Sequence, residues 1–171
     1  MIESYFQNEK RHGYFCIAVG LAALLLMLIP LFNRVSPVYS GMSIPLGFLL
    51  VICLNEGIQL WYRSDRQGFF LDKKLMANPA EFVEMESGRM NDRLFQLRLF
   101  KWIGVIHILA GILQMVWANG LETGYAVSYA IGRGIAFFLV GAIVTLLFSV
   151  AEKRGKVYNA FVHNTLQPST R

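Results

Sequence analysis

The sequence predicts an all-α polytopic membrane protein: a four-helix transmembrane bundle with a cytoplasmic amphipathic helix between spans 2 and 3. Two observations carry that prediction. First, 55% of the 171 residues are hydrophobic and only 16% are charged, against about 25% charged in ordinary soluble domains. Second, the charges cluster between four long apolar runs rather than being spread along the chain. A single membrane domain covering 1–171 follows, with spans at about 14–32, 42–62, 102–117 and 129–150, a cytoplasmic helical region at 63–101 and a cytoplasmic tail at 151–171.

The first span, Tyr14–Phe32, follows the basic lead-in Lys10-Arg11-His12. At 1.5 Å per residue it covers a hydrocarbon core of about 30 Å. It is too long for the apolar core of a signal peptide, and no small-x-small cleavage motif follows it, so it reads as a retained helix. Asn33–Gly41 is a connector marked by Pro37 and Ser40-Gly41. The second span starts near Met42, with Pro45 in its first turn, where the missing N–H costs little. Trp61 and Tyr62 mark its exit through the interface.

Within 63–101, Asn78-Pro79-Ala80-Glu81 is a helix start, with Asn as cap and Pro at the first helical position. No further proline occurs until Pro168. The helix from Pro79 is therefore expected to run on towards the third span, with Phe82, Met85, Leu94, Leu97 and Phe100 as an apolar stripe. Ala118–Ser128 is a second short connector before the fourth span.

Lys and Arg set the orientation. Residues 1–13 hold two, 63–101 hold eight and 151–171 hold four, against Arg34 and Arg133 in or beside the two short connectors. This positive-inside bias places both termini in the cytoplasm of a multi-pass protein, in the inner membrane of a bacterium. The net charge of +5 is absorbed as topology signals; no nucleic-acid motif accompanies it. Cys16 and Cys53 read as free thiols at different depths, since a disulfide demands close, matched positions. A weak internal match at an offset of 89 lays Leu46-x-Phe48-x-Leu50-Val51 on Ile135-x-Phe137-x-Leu139-Val140. It suggests two halves of the same topology.

Few residues are placed to carry chemistry. Glu56 is the sole acid within a span, and a carboxyl there should face protein rather than lipid. Asn55, Glu56 and Gln59 share one helix face by their spacing. On the third span Gly104, His107, Gly111 and Gln114 form a stripe of small and polar residues. Counted from the cytoplasmic ends, Glu56 and His107 lie at similar depth. An intramembrane polar cluster of Asn55, Glu56, Gln59, His107 and Gln114 follows, serving as a packing staple or as a proton or cation site. Arg133, at the outer end of the fourth span, reads as a snorkelling arginine within reach of Glu122 or Gln114. Glu86, Arg89, Asp92 and Arg93 sit at helix-neighbour spacings and read as a solvated ion-pair network.

No nucleophile elbow, zincin, redox, Walker or dinucleotide motif is present, so no catalytic residue, metal site or cofactor is implied and no enzyme is expected. The motifs Arg11-His12-Gly13-Tyr14, Glu86-x-x-Arg89-Met90 and Ala151-Glu152-x-Arg154-x-x-x-Tyr158 resemble a group of small bacterial four-helix integral membrane proteins. The resemblance implies this topology and a bacterial origin, and no catalytic residues. The expected function is non-enzymatic, through helix–helix or protein–protein interaction, as in an immunity protein or an accessory subunit of a membrane complex. The expected partners are the lipid bilayer and a membrane protein or a second copy of the chain, with no nucleic acid. The alternative is a small oligomeric ion or proton channel or transporter using Glu56 and His107.

Overall fold

A computed structural model describes residues 2–32, 36–121 and 124–165. It is all-helical, with α1 at Ile2–Phe32, α2 at Pro37–Ala77, α3 at Pro79–Ala118 and α4 at Tyr125–Asn164. All four are long and apolar enough to cross a membrane. Arg34 and Glu122 lie outside the described residues.

The expected cytoplasmic helix is not a separate element. α2 continues to Ala77, Asn78 alone interrupts it, and α3 then runs for 40 residues. The reversal is made by the residues that predict it. The Asn78 side chain accepts from the Glu81 N–H at 3.3 Å, and Pro79 occupies the first position. Glu81 also reaches back to Lys74 at 2.6 Å. Both connectors are shorter than expected, because α2 begins at Pro37 under a Ser36 cap and α4 begins at Tyr125. Pro45 is therefore interior to α2, and it leaves the Gly41 carbonyl without its helical N–H.

α1 packs on α2, α3 packs on α4, and α2 lies against α4 between the two hairpins. Glycines set the close approaches. A Cβ on Gly13 would lie 3.0 Å from the Gly57 carbonyl, and one on Gly104 would lie 2.9 Å from the Gly141 carbonyl. Seven residues further along each helix of the second hairpin, a Cβ on Gly111 would lie 2.6 Å from the Gly134 carbonyl. Small residues at the heptad step let these antiparallel backbones come close.

The two hairpins meet in a reciprocal crossing. A Cβ on Gly41 would collide with the Tyr129 carbonyl, and one on Gly132 with the Val38 carbonyl. Val38 to Tyr129 and Gly41 to Gly132 are both steps of 91 residues, so α2 and α4 exchange roles there. The register relating them is thus 91, not the 89 of the sequence match. α3 follows α1 at a different step: Gly20 faces Leu54 as Gly104 faces Thr145.

Two cores fill the bundle. The first joins Cys16, Ala23, Leu46, Leu49, Cys53, Leu94, Leu97, Val140, Val144, Leu147 and Phe148. Both cysteines are free and buried in it, side by side rather than at separate depths. The Gly13–Gly57 contact brings them level, since α1 and α2 are antiparallel. The second core lies at the charged end, where Ile2, Tyr5, Phe6, Leu71, Phe82, Met90, Tyr158 and Val162 come together from all four helices. Tyr5 and Tyr158 stack at 4.1 Å and 7° within it. The charged segments thus form their own four-helix core beyond the apolar one. That explains why α2 and α3 keep going as helices: each presents an apolar stripe to this second core.

Candidate functional site

Between the two cores lies a layer of buried charge. Glu56 on α2 is 4% exposed, and its partner is Arg93 on α3. Glu9 on α1 stands 3.8 Å from the same guanidinium. One arginine thus ties three helices. The Tyr5 hydroxyl donates to Glu9 at 2.8 Å. Burial pushes the Glu9 carboxyl above its ordinary range, against the pull of Arg93. The Arg93 guanidinium is held fully charged by Glu56 and Glu9, which outweigh its burial.

A cleft of about 160 Å³ opens beside this layer. Glu56, Arg63, Gln67, Arg89 and Asp92 are among its walls, so both signs of charge face one small space. One helical step deeper into the second core, Glu86 is completely buried. Arg89 grips it through two nitrogens, at 2.6 and 2.7 Å. That fork geometry is what makes an arginine–carboxylate pair specific. Burial, and next the Glu86 carboxylate, push the nearby Tyr158 phenol well above its ordinary range. The segment Glu86–Arg93 therefore departs from the expected solvated network. Glu86 and Arg93 point into the bundle, while Asp92 stays exposed.

A second node sits on α4. Glu152 is 5% exposed and meets Lys101 at 2.5 Å, Lys156 at 2.7 Å and Arg98 at 3.7 Å. Lys101 and Lys156 hold its carboxyl below its ordinary value of 4.5. A depressed folded value means the stabilisation is present above about pH 4.5 and is lost as the pH falls through the folded value. Glu152→Gln is expected to lower stability at pH 7 by about 1–2 kcal/mol, because the lysines are partly exposed. The gap to the wild-type protein should close in unfolding curves taken progressively below pH 4.5. A gap that stays constant with pH would remove the carboxylate from this role.

The expected cluster of Asn55, Glu56, Gln59, His107 and Gln114 is not assembled. Asn55 and Gln59 bond to each other on the exposed face, at 3.1 Å, while Glu56 turns inward. His107 packs between Phe48 and Phe137 with ring centroids at 5.7 and 5.5 Å. Its Nδ1 lies 2.7 Å from the Ile103 carbonyl. Phe48 precedes Glu56 by eight residues, which is about 12 Å along α2, so Glu56 and His107 do not meet. Gln114 is half-buried, about 10 Å further along α3 from His107. The reason is register. Gly13 against Gly57 places Glu56 level with Tyr14, the first residue of the expected first span. Glu56 therefore sits at the boundary of the apolar segment, not six residues inside it. Arg133 lies over the Tyr129 ring at 5.4 Å, and Glu122, its proposed partner, lies outside the described residues.

Sequence reasoning missed Glu9 and Glu152 as buried charges. Both sit on the α1 and α4 segments that looked like tails, and the signal available was the apolar spacing of Tyr5 and Phe6 around Glu9 and of Tyr158 and Val162 beyond Glu152. Among the described residues no cluster of three metal-ligating side chains occurs. No family model, curated protein or solved structure matches this chain.

Proposed function

We propose that this is a non-enzymatic inner-membrane protein of a bacterial cell, with both termini cytoplasmic, that holds a partner protein through its cytoplasmic helical arm. One observation carries this: Phe69, Phe70 and Met76 on α2 are 66, 56 and 79% exposed. They stand beyond the ion-pair layer. Even measured from Tyr62, Phe70 lies about 12 Å further along α2 and Met76 about 20 Å. That is past the headgroup zone, whose outer edge lies only about 5–8 Å beyond the hydrocarbon. Lipid therefore does not cover these side chains. Lys73 over the Phe69 ring at 4.3 Å and Lys74 beside Met85 at 3.5 Å extend the patch across the hairpin tip. Exposed aromatic and methionine side chains grouped in this way favour a protein contact.

Transport would need Glu56 and His107 on one path, and that support is gone. Glu56 is spent on Arg93, and His107 on its own helix and two phenylalanines. An immunity protein and an accessory subunit both fit an arm built for contact.

Photo-crosslinking in living cells tests the proposal. A benzophenone side chain at position 70 should yield a discrete protein adduct that Phe69→Asp abolishes. The same group at Leu113, 69% exposed on the apolar part of α3, should yield none. An adduct of the chain with itself would make the partner a second copy. Adducts only at position 113 would overturn the arm as the contact surface.

A further inference from the structure

We infer that the seam between α1 and α4 is a seat for one anionic phospholipid of the cytoplasmic leaflet. α1 and α4 touch along little of their length, and the space between them is an open groove of about 620 Å³. Its walls divide by chemistry along the helix axis. Phe15, Val19, Ile143, Leu146, Leu147 and Val150 form the apolar part. Arg11, His12 and Arg154 form the rim at the charged end. The rim lies at the level where Tyr14 begins the apolar segment of α1, which is where a phosphate would stand when its acyl chain lies in hydrocarbon.

The rim is built for an anion. Arg11 and Arg154 are exposed and form no ion pair among the described residues. The carboxylates two residues before each arginine are engaged elsewhere: Glu9 by Tyr5 and Arg93, and Glu152 by Lys101 and Lys156. His12 is 8% exposed, and its Nε2 is buried with no hydrogen-bond partner. Past Arg154 a second hollow of about 360 Å³ is lined by Ser4, Asn8 and Lys153 beside Tyr5 and Tyr158. Its near end, at Asn8 and Lys153, offers amide and ammonium groups to the polar end of a headgroup. Apolar floor, basic rim and polar hollow follow one another in the order of acyl chain, phosphate and headgroup. Free phosphate would use only the rim. Basic side chains at this level also draw anionic lipid generally, but the groove gives one molecule a defined place.

This seat depends on the membrane orientation proposed above and not on the protein contact at Phe70, so the two can fail separately. The test is native mass spectrometry of the full-length protein in detergent, titrated with dioleoyl-phosphatidylglycerol or dioleoyl-phosphatidylcholine. One phosphatidylglycerol should be retained in preference to phosphatidylcholine. Arg11→Gln with Arg154→Gln should weaken that retention by roughly tenfold, whereas Arg66→Gln with Lys73→Gln, an equal charge change on the α2 arm, should not. Val19→Trp, which fills the floor and keeps the charges, should remove the bound lipid in protein whose melting temperature is unchanged. Should Val19→Trp unfold the chain, Leu146→Trp on the groove wall tests the same point. Equal retention of both lipids, or a phosphatidylglycerol adduct indifferent to the rim and floor substitutions, overturns the seat. Inorganic phosphate at millimolar concentration should not displace the lipid; displacement would make the rim an ion site and overturn the lipid.

Discussion

Arg93→Met is expected to cost about 3–5 kcal/mol, the range for removing one partner of a buried ion pair. The guanidinium is the only cation in an ion pair with Glu56 among the described residues, and it also faces Glu9. Its side chain is 14% exposed and that of Glu56 5% exposed, so the pair is largely withdrawn from solvent even beside the cleft. Two carboxylates would be left facing each other between two apolar cores. The loss should depend on pH, with a definite sign. Burial already holds the Glu9 carboxyl above its ordinary 4.5, and Arg93 is the chief force opposing that rise. Without Arg93 the folded-state value goes higher still. A group with a raised folded value adds stability when protonated and loses that contribution as the pH rises through it. The variant should therefore lose most at the alkaline end and recover as the pH falls through the raised Glu9 value. Adding Glu56→Gln to Arg93→Met should restore part of the loss, since one of the two stranded charges is gone. Equilibrium unfolding in mixed micelles at two pH values reads all three results. A pH-independent loss that Glu56→Gln fails to relieve would mean that Arg93 acts through its methylene stem and not its charge.

The architecture was legible because its signals are long. Four apolar runs and a capping Asn78 before Pro79 each depend on many residues or on strong local chemistry. What the sequence could not give was register. A helix four residues too short at one end shifts every depth estimate, and Glu56 shows the consequence. Counted from Tyr62 it is six residues inside; counted against its neighbour it is level with Tyr14, because Gly13 packs on Gly57. The same register error separated Cys16 from Cys53 and joined Glu56 to His107. Charge pattern misled in a different way. Glu86, Arg89, Asp92 and Arg93 have the spacing of a solvated helix face. Nothing local says that Ile2, Phe6 and Tyr158, from segments far off in the chain, cover that face. Burial of these charges is a tertiary fact, decided where four amphipathic stretches converge.

Gly132→Val is expected to cost at least about 3 kcal/mol, the upper part of the range for overpacking. The added Cβ would strike the Val38 carbonyl, which is backbone and cannot rotate aside. Gly41→Val should cost as much, because its Cβ would strike the Tyr129 carbonyl at the same crossing. The two should not add. Once α2 and α4 are forced apart by one collision, the other is relieved, so the double variant should lose little more than either single one. Gly88→Ala is the control. Its Cβ meets nothing within 4 Å, and replacing a mid-helix glycine should stabilise by roughly 0.5–1 kcal/mol. The hairpins themselves should survive in Gly132→Val, since Gly13–Gly57 and Gly104–Gly141 lie away from the crossing. Hydrogen exchange should then show protection retained at those two contacts and reduced along the α2–α4 face. Full additivity of Gly41→Val and Gly132→Val would mean that the two glycines serve separate contacts, and the reciprocal crossing of the hairpins would have to be abandoned.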